Sequence, residues 1–309
     1  MFGKRTVVDM IERSAENETD RRRFLRSAGL AGLGTLGASA LGGMNRAAAY
    51  DYDGPSDAAI LNFALNLEYL EAEFYSYAVF GHGLPYEITT GRGDRGPVIG
   101  GREVDFRTPA IRRYAREIAQ DEERHVRFLR TTLGSAKVAQ PKIDIRNSFT
   151  AAARAAGLIG PGQTFDPYAN ENNFLLAAFI FEDVGVTAYK GAAPLINNKT
   201  YLEAAAGILA VEAYHAATIR TSLYEKGLRA AANKISAARD SLDGSSDIDQ
   251  GIGSNRHANI VPTDRNGLAF SRSAGQVLNV VYLTPQRAGK GGFFPQGVNG
   301  VINTSDANG

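Results

Sequence analysis

At 309 residues the chain can bury a full core, as one large domain or two smaller ones. A formal net charge of +1, without a basic stripe, gives no footing for nucleic-acid binding. With no cysteine, disulfides, thiolate metal sites and thiol catalysis are excluded, so any metal must be held by histidine and carboxylate.

Residues 1–49 hold 8 Lys+Arg and 5 Asp+Glu, which leaves the remainder of the chain at about −2. Within them, Arg21-Arg22-Arg23-Phe24-Leu25-Arg26 precedes a Gly/Ala/Leu run and a small-residue exit, the layout of an export signal. The residues resemble a twin-arginine signal with Arg21 and Arg22 as the pair, although Asp20 stands where Ser or Thr is usual. Ala47-Ala48-Ala49 is the expected cleavage site, with Ala38-Ser39-Ala40 as a second option. A short surface or anchoring helix is the bland alternative, and the run is too short and Gly-rich for a comfortable membrane span. The expectation is therefore an exported protein (periplasmic, cell-surface or extracellular) with no stable membrane span after signal removal.

Ser56 is placed to cap a first helix over 57–79 that is apolar around most of its circumference, interrupted by Glu68, Glu71 and Glu73. Glu68 and Tyr75 are seven apart and share a face; Glu71 lies near it, and Glu73 points away, toward expected solvent. Residues 81–109 read as a long Gly/Pro-rich loop, either a lid or a crossover arm. Thr108-Pro109 then opens a second helix over 109–133, centred on Asp121-Glu122-Glu123-Arg124-His125. Residues 134–172 look irregular apart from a short helix near 149–156. Asn172 or Asn173 is the expected cap of a third long helix, whose only charged side chains between 174 and 189 are Glu182 and Asp183. The fourth helix contains Ala204 through Arg220 and continues to about Lys226; Glu212 and His215 stand three apart on one of its faces. No Lys or Arg lies within a turn of Glu212, so a cation must reach it from elsewhere. Beyond Ile235 the chain turns polar and Gly-rich, with one more helix over 271–282 and Phe293-Phe294 as a hook into the core.

Two helices thus carry Glu with Tyr seven later (Glu68/Tyr75 and Glu182/Tyr189), and two carry Glu-x-x-His (Glu122/His125 and Glu212/His215). They alternate along the chain as a duplicated helix pair. Four-helix di-iron and di-manganese carboxylate proteins use this ligand set. Carboxylates bridge two divalent ions and balance most of their charge, while each imidazole completes one ion's shell. One Glu-x-x-His is a weak signal in a chain with 16 glutamates and four histidines; two of them, alternating with lone acids in apolar helices, are a strong one. The competing reading is buried acids satisfied by Arg, Tyr or water.

On Asn66-Leu67-Glu68, Glu122-Glu123-Arg124-His125, Phe181-Glu182-Asp183-Val184-Gly185, Glu212-Ala213-Tyr214-His215, Phe165-Asp166-Pro167 and the Phe-Phe-Pro tail, the chain resembles the ferritin-like domain proteins. The branch it resembles is the one related to plant desiccation-related protein, from about Tyr52 onward. The resemblance implies an all-α fold: a ferritin-like four-helix bundle with long crossover connections and an irregular, partly helical C-terminal extension. It implies two divalent ions, Fe or Mn, with Glu68 and Glu182 as terminal ligands, Glu122 and Glu212 as bridges, and His125 and His215 completing each ion. Tyr75 and Tyr189 are expected as packing residues with satisfied hydroxyls; the alternative is that they hydrogen-bond a carboxylate ligand or carry a transient radical. His82 and His257 are expected at the surface, and Glu71 is the alternative to Glu68 should the first helix be rotated.

The expected domains are a signal at 1–49, the bundle at 50–235 and the extension at 236–309. The expected function is an exported di-metal protein that oxidises Fe(II) or removes peroxide in oxidative or desiccation stress. Its substrates would be small molecules (oxygen, peroxide or Fe(II)), and a homo-oligomer is compatible with this reading. The alternative is a non-catalytic structural or surface stress protein that uses the bundle as scaffold.

Overall fold

The computed structural model describes residues 54–308, and the export signal read at 1–49 lies outside them. Seven α-helices occur among the described residues: α1 (Asp57–Phe80), α2 (Pro109–Leu133), α3 (Asn147–Ala155), α4 (Glu171–Ala192), α5 (Lys199–Glu225), α6 (Arg229–Asp240) and α7 (Ala274–Tyr282). The long helices α1, α2, α4 and α5 form the bundle, with α1 packed on α2 and α4 on α5. The all-α, ferritin-like bundle expected from sequence is what the chain forms. None of the described helices is long and apolar enough to cross a membrane.

Side-chain patterning explains which helix sits where. In α1 and α4 nearly every residue between the first and last turns is buried, so both helices are enclosed on all sides. α2 instead buries one stripe (Ile111, Ala115, Ile118, Glu122, Val126, Leu129 and Leu133) and exposes Arg112, Arg113, Arg116, Arg124 and Arg127, while Arg130 is buried. Glu122 lies on the inward stripe, which carries it to the bundle centre.

Helix-end contacts set the directions. The Asp57 carboxylate at the start of α1 accepts the backbone N–H groups of Asn197 and Asn198 at 2.8 and 2.9 Å, placing the starts of α1 and α5 at one end. At the other end Glu171, opening α4, accepts from the Thr108 N–H and hydroxyl at 2.8 and 2.7 Å and pairs with Lys226 at 2.7 Å. α2 and α4 therefore start at the same end, and the connection 134–170 must travel the length of the bundle. That is a long crossover. Thr108 precedes α2 as expected, but its hydroxyl is taken by Glu171 and makes no cap to its own helix.

Other boundaries shift for local reasons. Asn170, rather than Asn172 or Asn173, caps α4: its side chain accepts the N–H groups of both later asparagines at 3.0 Å, making them first-turn residues. Residues 81–108 are not a free loop. They hold a short 3₁₀ turn and a two-residue strand, β1 (Val98–Ile99), that pairs in parallel with β2 (Ile143–Asp144) of the second connection. Arg130 of α2 fastens the arm by donating to Glu87 O at 3.1 Å and to Thr90 O. The arm also covers Glu73, which is buried and accepts Leu84 N–H at 3.1 Å, contrary to the solvated position expected from its helical face. Burial pushes Glu73 up to about 7.

The C-terminal extension is locked to the bundle in two ways. Phe293 and Phe294 are fully buried, and the Phe293 ring meets Phe149 at 5.0 Å and Phe181 at 4.8 Å between centroids. Truncating such an anchor costs about 3–5 kcal/mol. Second, a buried ion network joins α4, α5 and α6 to the extension. Asp183 binds Arg220 at 2.6 Å and Arg239 at 2.7 Å; Asp249 binds Arg239 at 2.8 Å and Arg272 at 2.7 Å; Arg272 also binds Asp243 at 2.6 Å. Sequence reasoning misses this network and the helix α6, because arginines and aspartates distant in sequence look solvated until tertiary contacts bring them together. α7, expected over 271–282, begins after Ser273, which forms a capping box with Gln276.

Candidate metal centre

Glu68 on α1, Glu122 and His125 on α2, Glu182 on α4, and Glu212 and His215 on α5 converge at the middle of the bundle. All six are buried. Their ligand atoms form two groups, each compact to within 4.8 Å: Glu68, Glu122, His125 and Glu212 in one, and Glu122, Glu182 and His215 in the other. Glu122 belongs to both groups, the position a bridging carboxylate needs.

How the donor atoms are turned is more informative than their proximity. His125 Nδ1 lies 3.2 Å from Glu68 Oε2, 3.5 Å from Glu212 Oε1 and 3.6 Å from Glu122 Oε2. His215 Nδ1 lies 3.0 Å from Glu122 Oε1 and 3.7 Å from Glu182 Oε2. Yet both Nδ1 atoms, both oxygens of Glu122 and of Glu212, Glu68 Oε2 and Glu182 Oε2 are buried and make no hydrogen bond among the described residues. They face common points rather than one another. Buried polar atoms left unpaired in this number are costly, and a cation at each point satisfies them together. The four carboxylates match the charge of two divalent ions, and carboxylate with imidazole is a donor set that Fe and Mn accept. The residues present fit such a pair.

The outer oxygens of Glu182 and Glu68 and the outer nitrogen of His215 are engaged elsewhere. Tyr75 of α1 donates its hydroxyl to Glu182 Oε1 of α4, and Tyr189 of α4 donates to Glu68 Oε1 of α1. Each tyrosine thus orients a buried glutamate of the opposite half, and the seven-residue spacing read in sequence is a cross-helix exchange. His215 Nε2 faces Asp121 Oδ2 at 3.5 Å, a carboxylate behind an imidazole. Asp121 is an outer partner that sequence analysis did not single out, although it adjoins Glu122.

Electrostatics follow from burial. Glu68 is pushed up to about 8, by burial above all, with His125 pulling the other way. Glu182 and Glu212 are also raised, first by burial. Burial likewise opposes ionisation of Glu122, but the flanking imidazoles outweigh it and hold this acid below the usual carboxylate range. Burial alone would lower His215, yet Glu122 and Glu182 outweigh it and raise the ring to about 10. The centre demands positive charge, from protons or from metal.

The dipeptide Glu182-Asp183 shows how selective that demand is. Asp183 turns to two arginines, which answers the competing reading for that acid; Glu182 turns inward and meets none. Glu68 belongs to a ligand group and Glu71 to neither. Glu71 is a further buried acid beside the centre, raised well above its ordinary value by burial and then by Glu212 and its neighbours. Gly185 of α4 makes the room: a Cβ there would stand 2.4 Å from Glu212 Oε2 and 3.5 Å from Glu71 Oε1. His82 and His257 are exposed and belong to neither ligand group.

A helical bundle with Glu and Glu-x-x-His alternating on its four helices defines a class, and comparison with known proteins agrees. The chain belongs to the ferritin-like domain family, whose model matches residues 56–225. It is 33% identical over 265 residues to the desiccation-related protein PCC13-62 of Craterostigma plantagineum, covering 79% of this chain and 83% of that one. It is 29% identical over 269 residues to the ferritin-like catalase Nec2 of Nesocodon mauritianus, covering 80% and 85%. No solved structure matches the chain significantly.

Proposed function

We propose that the protein is a di-metal carboxylate oxidoreductase that removes hydrogen peroxide, with Glu68, Glu122, His125, Glu182, Glu212 and His215 as ligands to two Fe or Mn ions. The observation that carries this reading is the pair of ligand groups sharing Glu122, with eight buried donor atoms unpaired and turned inward. The similarity to a protein named as a ferritin-like catalase favours peroxide over Fe(II) oxidation as the reaction. The similarity to a desiccation-related protein fits a stress role, and the twin-arginine-like residues 1–49 fit export of an already folded, metal-loaded chain.

Two such ions, if bound, would supply a pair of one-electron changes, matching the two electrons by which one peroxide is oxidised to dioxygen and a second is reduced to two waters. The chain's own residues set the conditions. Glu122, shared by both ligand groups, would hold the two positions at a fixed distance on a rigid helix, Glu212 would complete the Glu68–His125 group, and the tyrosine hydroxyls fix Glu68 and Glu182 from behind. Asp121 faces the outer nitrogen of His215, which favours the tautomer whose Nδ1 lone pair points inward. The packed walls of α1 and α4 restrict water at the centre.

Elemental analysis of protein matured in its own host, with Glu122→Ala and Glu212→Ala beside the wild type, tests the reading. It expects about two ions per chain in the wild type and loss of both metal and peroxide consumption in the variants. Wild-type protein holding less than about 0.2 ion per chain would refute it. A metal-replete protein silent in peroxide and ferroxidase assays, with stability unchanged by chelation, would favour the scaffold role instead.

A further inference from the structure

We propose that the protein pairs with a second copy of itself through the outward face of α5, flanked by α2, in an antiparallel two-fold contact centred on Ala210. The proposal is independent of the metal centre. A surface helix ordinarily carries charge on its solvent side. α5 does not: between Glu203 and Arg220 its only acidic or basic side chains are Glu212 and His215, and both are buried. Over that length it shows solvent Ala206, Gly207, Ala210, Ala213 and Tyr214, the last 73 % exposed. Beside it α2 exposes Tyr114 together with Arg116, Glu117, Arg124 and Arg127. An uncharged, tyrosine-bearing centre with charges of both signs along its edge is the anatomy of a protein–protein interface.

Three observations name this chain as the occupant. Gly207 lies in the interior of α5, where glycine is disfavoured against alanine. A Cβ at Gly207 would meet nothing within 4 Å, so packing inside the protomer does not call for the glycine, whereas a close approach from outside does. Tyr214 is the matching piece. In an antiparallel pair centred on Ala210, positions equally far to either side face each other. Tyr214 of one copy then lies against Ala206, beside Gly207, of the other, and symmetry makes the contact twice. Knob and hole stand on one ridge at equal distances from a common centre, so the face complements itself. The area also suffices. At about 1.5 Å per residue the 27 residues of α5 run about 40 Å, and α2 alongside widens the face to about 20 Å. The roughly 800 Å² so offered is what each partner buries in a standard stable interface. The contact would also cover the cleft of about 320 Å³ between the two helices, whose lining includes His215, and so take the outer side of that ring out of water.

Sedimentation equilibrium of the full chain at about 50 µM should give twice the chain mass, since interfaces of this size hold at micromolar concentration or below. Ala210→Arg sets two guanidinium groups against each other at the centre and should weaken the dimer at least about 100-fold, with an unchanged helical circular-dichroism spectrum. Gly207→Leu improves the helix within the protomer yet fills the hole for Tyr214, so it should weaken the dimer about tenfold without lowering the melting temperature. Because the chain has no cysteine, Ala210→Cys supplies a single thiol that meets its own copy at the centre. Oxidation should cross-link this variant to a dimer, and should leave Ala237→Cys, exposed on α6, uncross-linked. The cross-link needs no destabilising substitution, so it reads the contact even where another variant fails to fold. A wild type that stays monomeric at about 50 µM would overturn the proposal. So would a dimer that survives Ala210→Arg and Gly207→Leu and leaves Cys at 210 uncross-linked, since its contact would then lie on another face.

Discussion

Gly185 offers the sharpest prediction, because two physical effects of replacing it have opposite signs. It lies in the interior of α4, where alanine is preferred over glycine by about 1 kcal/mol on helix propensity alone. If the residue had no further role, Gly185→Ala would therefore stabilise the protein. A Cβ at this position, however, would stand 2.4 Å from Glu212 Oε2 and 3.3 Å from its carboxyl carbon. Ordinary carbon–oxygen contact is about 3.4 Å, so the oxygen must retreat by about 1 Å. The carboxylate is the far end of a flexible side chain, and it can swing without unfolding the helix. A metal–carboxylate bond is about 2.0–2.2 Å long, and a 1 Å retreat breaks it. Gly185→Ala is thus expected to fold, to keep or raise the melting temperature of the metal-free protein, and to lose metal affinity by at least about 10–100-fold. Metal titration with melting curves of the metal-free and loaded forms checks it. Two ions bound as tightly as in the wild type would refute the inward-facing role of Glu212. A destabilised metal-free form would show that the glycine serves helix packing instead.

Tyr189→Phe removes the hydroxyl that donates to Glu68 Oε1 and leaves the ring's packing intact. It should weaken metal binding about 10–100-fold and cost about 1.5–3 kcal/mol of stability in the loaded form, by calorimetry; an unchanged affinity would make Tyr189 a packing residue only. Glu73→Gln tests the cost of the buried acid under the arm. Because folding raises this carboxyl to about 7, the folded state binds more protons than the unfolded one between its ordinary value and 7. Its favourable contribution is complete below the unfolded value and is lost as pH rises through 7, a total of about 3 kcal/mol. Glu73→Gln should therefore leave the melting temperature similar near pH 4 and raise it at pH 8; equal effects at both would refute the assignment. Arg272→Met strips the partner of Asp243 and half that of Asp249, and should cost about 3–5 kcal/mol with earlier proteolysis of the extension. Removing metal with a chelator should lower the melting temperature of the wild type but not of Glu122→Ala.

The bundle and its centre were legible in the sequence because both are written in local spacing. Four long runs with helical period contain acids where apolar surroundings forbid an unpaired charge, and Glu-x-x-His places two donors on one face wherever the helix packs. What local spacing omits is which helix faces which. The exchange of Tyr75 and Tyr189 across α1 and α4, the shared use of Glu122 by both ligand groups and the choice of Glu68 over Glu71 depend on helix rotation and crossing. Those are fixed by packing throughout the core. Glu73 shows the limit most plainly. On its own helix it belongs to the outer face, and only the return of residues 81–108 over that face buries it. The ion network of Asp183, Asp249, Arg220, Arg239 and Arg272 was likewise invisible, since charges far apart in sequence look solvated until a fold desolvates them together. By itself the sequence determined a set of acids and histidines able to serve as ligands and the helices that carry them. The tertiary structure decided which buried acids receive arginine and which are left facing a common centre, because that choice depends on distances no helix can set alone.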